Sequence, residues 1–331
     1  MNLTLQVAAA VGAFLTAVAL GNTLDYWNRK LYARMQSRLG PLLVMYRELR
    51  NMLGSSRILQ PLYDIAKLWG KQTIVPESAR GVVFKAAPIL ALLAASAAVL
   101  VAPVCGLSAL GFLEYSLIAL IYLLTAVSFC WVVGAAASSS PWGAIGGRRE
   151  AELFLGYEVP LIVSLFSAAI LAGSESLNGL LEFQRAFLPA ILLNPLAAFA
   201  MFFAILGKLH LKPFDIPDAE VEIVAGPFTE YSGKLLSLIY FTRMLLFYLL
   251  PTVFVDAFLS GGLFFKGVLY PLNIPVYLGL CFLLMFLLST IHAAMPRYRV
   301  DQGFKFYLKY VWPVAFAGLA LSITLVYTGV V

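Results

Sequence analysis

Eight nearly continuous apolar runs, at residues 3–24, 86–110, 115–136, 157–175, 189–207, 235–258, 274–293 and 309–329, constrain this chain more than any motif in it. Each is close to the roughly 20 residues that a helix needs to cross a hydrocarbon layer of about 30 Å. Hydrophobic residues make up 61% of the 331 and charged residues 12%, and the mean hydropathy is +0.88, which excludes a soluble globular domain. The expected fold is therefore all-α, a single polytopic membrane domain over 1–331 with about eight transmembrane helices. The first run starts at Met1 with no basic segment before it, and no small-residue cleavage site precedes a soluble domain, so a retained helix is expected rather than a signal peptide.

Lysine and arginine fall almost wholly in alternate loops. The first loop, 25–85, holds eleven, and the loops two and four further on, with the last connection, add nine; the opposite loops hold only Arg185 and Lys266, and Arg243 lies inside a span. By the positive-inside rule this split of 20 against 2 puts the basic loops in the cytoplasm and both termini outside, in the cell membrane. A sequence pI near 9.2 then needs no nucleic acid to explain it.

Cys105, Cys130 and Cys281 stand alone in or beside apolar runs, which leaves no disulfide framework and no Cys-x-x-Cys metal or iron–sulfur site. His210 and His292 read as interfacial polar residues near span ends, and no redox cofactor is expected in this chain. Within the first loop, apolar residues return at three- and four-residue intervals between Leu42 and Trp69 (Met45, Leu49, Met52 or Leu53), with Arg47, Glu48, Arg50 and Arg57 between them. That pattern suits amphipathic helices lying in the interface. They are either a plain surface anchor or a platform whose arginines meet an acidic partner or anionic lipid.

The stretch PFDIPDAEVEIVAGPFTEYSG, Pro213 to Gly233, sets Asp215, Asp218, Glu220, Glu222 and Glu230 together with no lysine or arginine, in a loop spanning 208–234. If 218–222 is extended, Asp218, Glu220 and Glu222 share a side; if helical, Asp218 and Glu222 do and Glu220 turns away. Either way the crowded carboxylates raise one another's pKa values. A solvated acidic loop is the plainer reading of a charge run. Against it stand the loop's shortness, its Pro and Gly density, and its apolar centre, Ile223, Val224 and Ala225, which suit a re-entrant segment among helices. Glu150, Glu152 and Glu158 and the intramembrane Arg243 extend a candidate polar path, and Arg243 needs a carboxylate partner from the loop acids or Glu158.

At these residues the chain resembles the complex I subunit 1 family, the membrane component that joins the redox arm to the ion-pumping arm and that also occurs in energy-converting hydrogenases. NRKLYARMQSRLGP (Asn28 to Pro41), LQPLYDIAKLWGK (Leu59 to Lys71), GYEVPL (Gly156 to Leu161) and the acidic stretch are similar to that family's motifs and follow in its order. The resemblance implies a coupling subunit of a redox-driven ion pump. Its partners would be an iron–sulfur subunit and a large catalytic subunit that carry the iron–sulfur clusters and nickel–iron, together with antiporter-like membrane subunits. It implies proton-exchanging roles for Asp218, Glu220, Glu222 and Glu230, with Glu158, Glu150 and Glu152 along the inward path. It also implies a charged pair of Asp64 and Lys67 near the partner interface, and a basic ring of Arg29, Arg34 and Arg38 beneath the redox arm.

The departures bear on the branch. Quinone-using members carry Glu where Asn28 stands and an acidic motif in the sixth span where this chain reads TRM, with Arg243; Pro227 replaces an aromatic, and about nine more residues separate Pro41 from LQP. Together these favour a ferredoxin-linked hydrogenase or sulfur reductase over a quinone-binding subunit. A secondary transporter is a third reading, disfavoured because the halves show no repeat.

Overall fold

The computed structural model describes residues 3–38, 40–41, 57–104, 113–265 and 267–329. They form helices and connecting loops with no strand among them. The helices are α1 (Leu3–Met35), α2 (Gln60–Trp69), α3 (Gly81–Val101), α4 (Ser116–Ala137), α5 (Pro141–Ala172), α6 (Leu177–Ala186), α7 (Pro195–Lys208), α8 (Gly233–Phe258), α9 (Asn273–Ala294) and α10 (Val300–Tyr327), the last passing through a π-helical segment at Tyr307–Val311. Seven of these, α1, α3, α4, α5, α8, α9 and α10, are long and apolar enough to span a bilayer, so the chain is a polytopic membrane protein.

The fifth expected span is the one that differs. A single run over 189–207 is split into one helical turn, Ala190–Leu193, and the 14-residue α7, because Pro195 has no N–H to continue a helix and Asn194 starts a new one. The Asn194 side chain accepts from Ala197 N at 3.0 Å and donates to Ser167 Oγ, Ser322 Oγ and the Gly318 carbonyl at 2.7–2.8 Å, tying α7 to α5 and α10. The first helix exceeds its expected length and runs on to Met35, so Arg29, Lys30 and Arg34 ride on its last turns.

Helix α8 is the centre of the bundle, packed by α1, α2 and α3, while α5, α7 and α10 form a second group that meets it. The described part of the first loop includes one amphipathic helix, α2, which buries Pro61, Tyr63 and Leu68 and exposes Lys67 and Trp69. The expected helical pattern at 42–56 lies outside the described residues. After α2, residues 71–74 strap the start of α8: Ile74 N donates to Ser232 Oγ at 2.9 Å, and Lys234 N donates to Thr73 Oγ1 at 3.2 Å.

The acidic stretch begins at a cis Lys212–Pro213 bond and folds back onto the bundle. Aromatic side chains pin it at several points. Phe214 packs on Tyr307 and Tyr298, Phe228 on Trp131, and Tyr231 stacks on Phe84 with ring centroids 4.1 Å apart while donating to the Phe84 carbonyl. Two glycines make this closure possible. Gly146 on α5 touches the backbone of Gly226 and Pro227, and Gly226 has φ +53° against the Pro217 carbonyl, where any Cβ would collide.

Candidate functional site

Four elements converge at the end of the bundle where the acidic stretch lies: the C-terminus of α7, the first turns of α5, the 209–219 segment and the second to third turn of α8. Their side chains form a line of paired charges. Arg243 donates to Asp218 Oδ2 at 2.6 Å; the same oxygen lies 3.4 Å from His210 Nδ1, and His210 Nε2 lies 2.9 Å from Glu150 Oε2. That last contact is an ion pair by distance without hydrogen-bond alignment. Tyr157, about two helical turns further along α5, donates to Glu150 Oε1 at 3.2 Å and packs its ring under Lys208. Lys208 donates to Glu158 Oε2 at 2.7 Å and to Ser128 Oγ at 3.2 Å, and Thr125 donates to Glu158 Oε1 at 2.5 Å. Glu150, Lys208, His210 and Glu158 are all buried, at 0–4% exposure.

Buried charges persist only when paired, because the desolvation of one unpaired ion costs several kcal/mol. In the 209–219 segment the pairing decides protonation. Burial penalises the His210 imidazolium, yet the carboxylates of Glu150 and Asp218 outweigh it, so its pKa is pushed up to about 10 and the ring is charged at neutral pH. Asp218 is also opposed by burial, but Arg243 and His210 hold it well below the ordinary carboxylate range. Asp215 goes the other way: burial raises it, more than its 2.6 Å bond from Arg297 lowers it. The arrangement is thus base–acid–base–acid from Arg243 to Glu150, the order in which a proton or charge displacement at one end is felt at the other.

The line opens on a cavity of about 590 Å³ lined by Asp25, Arg29, Lys212, Asp218, Arg243 and Arg297, among others. Asp25 and Asp64 both bind Arg29, at 2.9 Å each, and that pair borders a neighbouring cavity with Lys67 and Arg243. Lys212 Nζ donates to Tyr32 Oη at 2.8 Å, and its backbone N–H donates to His292 Nδ1.

Several sequence expectations land elsewhere. Asp64 pairs with Arg29 rather than Lys67, because α2 leans its Asp64 face toward α1 while Lys67 is exposed. Glu152 points outward and binds the exposed Arg148, so it is not in line with Glu150 and Glu158. Glu222 sits on the one-turn helix Glu220–Ile223, more than half exposed, and binds Arg149. Glu230 is half-buried without an ion pair among the described residues, and the Glu220 side chain lies outside them. Of the loop's apolar centre only Ile223 is buried; Val224 and Ala225 are exposed. Arg34 and Arg38 are exposed on the same rim. Arg243 does meet a loop acid, Asp218, while Glu158 is taken by Lys208.

His210 is not the interfacial histidine expected but the buried centre of the line, and Lys208 is not a loop charge. Helix α7 continues through Lys208, which falls four and seven residues after Ala204 and Met201, two fully buried positions on one face. That spacing was the signal available for Lys208. For Asp25 it was the i, i+4 spacing to Arg29. For His210 there was none, since its position depends on a φ of +52° just past the helix end.

Long apolar helices enclosing a line of paired acids and bases that opens at one end define a polytopic membrane protein with a charged interior. The chain belongs to the NADH dehydrogenase family, whose model matches residues 6–323. The H subunit of NADH-quinone oxidoreductase from Rhodospirillum centenum is 31% identical over 334 residues, covering 96% of this chain and 93% of that protein. Its counterpart of the same name from Brevibacillus brevis is 32% identical over 348 residues, covering 98% of each. Among solved structures, a chain of the membrane-bound sulfane sulfur reductase, an archaeal respiratory membrane complex, superposes with a TM-score of 0.82 over 96% of this chain and 99% of that one, at 24% identity, and so shares the fold.

Proposed function

We propose that this chain is the membrane subunit that couples a redox arm to ion movement in a multi-subunit respiratory complex. The single observation that carries the reading is the continuous line Arg243–Asp218–His210–Glu150–Tyr157, with Lys208–Glu158 beyond it, leading from an open charged cavity into the bundle. A static scaffold has no use for so many ionisable groups buried in register, since charged residues at such depth are costly even when paired and characteristically mark ion paths. A redox event at the cavity mouth that shifts charge near Arg243 or Asp218 changes the proton affinity of His210 and Glu150, and through Tyr157 reaches the Glu158–Lys208 pair.

In this reading the end bearing the line faces the cytoplasm, which the distribution of lysine and arginine supports. The rim of Arg29, Arg34 and Arg38 with α2 seats the iron–sulfur and catalytic subunits. Those partners hold the iron–sulfur clusters and, in a hydrogenase, the nickel–iron centre. Glu158 and Lys208 lead toward antiporter-like subunits.

We assign the complex to the ferredoxin-linked hydrogenase or sulfur reductase branch. Asn28, which stands where quinone users carry Glu, accepts from Ser289 at 2.8 Å as a neutral packing partner, and Arg243 neutralises Asp218 in the cavity. A quinone-reducing complex is the second reading, supported by the NADH-quinone oxidoreductase relatives and by the volume of the cavity. Affinity purification through this chain decides between them. The expected result is a complex with iron–sulfur and catalytic subunits, free of quinone, whose ferredoxin-driven turnover ignores quinone-site inhibitors. Bound quinone with inhibitor-sensitive turnover would select the second reading, and recovery of the chain alone would remove both.

A further inference from the structure

About 20 Å farther along α8 than Arg243, at 1.5 Å per residue, lies a carboxyl group that the line of charges does not use. Asp256 is fully buried, and neither of its carboxyl oxygens has a hydrogen-bond partner among the described residues. One turn on, the Ser260 hydroxyl is buried and equally unpartnered. Here α8 ends in three successive left-handed residues, Ser260, Gly261 and Gly262, with φ of 55°, 56° and 67°. The turn folds the chain back over the carboxyl: a Cβ on Gly261 would sit 3.1 Å from Asp256 Oδ1.

Among the described residues, none offers Asp256 a counter-charge. Gln184 of α6 reaches this turn, and both ends of its amide are committed. Its Nε2 donates to the backbone carbonyls of Asp256 and Ala257, and its Oε1 accepts from Ser260 N and Ala190 N. Of the other ionisable groups on the elements packed there, Glu182 and Arg185 lie on α6, and Tyr277 and Cys281 on α9. Arg185 lies over the Tyr270 ring, and no charged residue forms an ion pair with Asp256 among the described residues. Leu181 and Leu263 lie against the same turn, within 4 Å of a Cβ built on Gly261, and belong to a buried cluster with Val255, Tyr277 and Cys281.

An ionised carboxylate in such a site pays its full desolvation cost with nothing returned, and a neutral acid does not. A metal cation would restore the balance only if it found an oxygen shell. Hard cations take about six oxygens, and here one carboxyl and one hydroxyl are free. We propose that Asp256 is a proton-binding site, a carboxylic acid held neutral in the half of the membrane layer opposite Arg243. The ligand is a proton and not a metal ion. This inference is independent of the coupling role, since it rests on no residue of the charged line.

The test is difference infrared spectroscopy on the intact complex at neutral pH, wild type against Asp256→Asn, in sodium-free and sodium-containing buffer. The expected result is a carbonyl band of a protonated carboxyl in the wild type, lost in Asp256→Asn, at the same frequency with and without sodium. The variant assembles with an unchanged thermal midpoint, because an amide copies a neutral acid in size. Identical spectra for wild type and variant, a band that sodium abolishes, or an Asp256→Asn chain that fails to assemble would each overturn the proposal.

Discussion

The two halves of the acidic stretch contain the same kinds of residue and have opposite fates. In residues 213–219, Asp215 and Asp218 are largely enclosed and each is held by an arginine from a different element, Arg297 or Arg243. In residues 220–230, Glu222 is mostly exposed, its partner Arg149 lies near the start of α5, and Glu230 has no ion pair among the described residues. The break between them is physical. Phe214 is buried among aromatics and Ile216 is buried beside it in the first half, whereas in the second half Ile223 and Gly226–Phe228 go inward and the turn at Val224, φ +59°, leaves Glu222, Val224 and Ala225 outside. Local acidity therefore says little about function; what decides is whether a buried base meets the acid.

Arg243→Leu is expected to have the largest effect. It leaves Asp218 buried with only a long contact to His210, at a cost of about 3–5 kcal/mol. Complex yield and thermal unfolding should both fall, and adding Asp218→Asn should recover part of the loss. Normal assembly of the single variant would erase the distinction between the halves.

The pH dependence sharpens the same contrast. His210 is raised from 6.5 to about 10 in the folded chain, so its contribution to stability is complete below about 6.5 and is lost as pH rises through about 10. Asp218 is lowered from 3.8, so its contribution is present above about 3.8 and is lost as pH falls further. Protease nicking of the 209–219 segment in the purified complex should therefore be slowest between about pH 4 and 6.5, rise progressively from about 6.5 to about 10 and level off above, and His210→Gln should remove that rise.

Gly226→Ala comes next, at about 1–3 kcal/mol, because alanine must hold a left-handed φ with its Cβ against the Pro217 carbonyl. The thermal midpoint reports it. Smallest is Glu222→Gln, which alters an exposed ion pair worth at most about 1 kcal/mol and should leave yield and midpoint unchanged.

Much of the fold was legible. Runs of about twenty apolar residues needed only the thickness of a bilayer to become helices, and seven did. The fifth run failed because hydropathy is blind to Pro195, whose missing N–H splits a segment as greasy as its neighbours. The site was legible in its acids and not in its bases. Asp218 and Glu158 stand out as carboxylates beside apolar sequence. Lys208 and His210 look like ordinary loop charges until α7 is seen to bury one and a left-handed residue to turn the other inward. Pairings such as Arg29 with Asp64, 35 residues apart, depend on tertiary contacts that no spacing rule contains.

In the proposed role, charge moves along the buried line and not through the exposed acids. Glu150→Gln tests it most directly, because it keeps a hydrogen-bonding group of the same size between His210 and Tyr157 while removing the titration. In the intact complex reconstituted into vesicles, the ions translocated per electron should fall several-fold in Glu150→Gln while electron transfer and assembly persist, and should stay at the wild-type ratio in Glu222→Gln. A wild-type ratio in Glu150→Gln, or a fall confined to Glu222→Gln, would contradict the account.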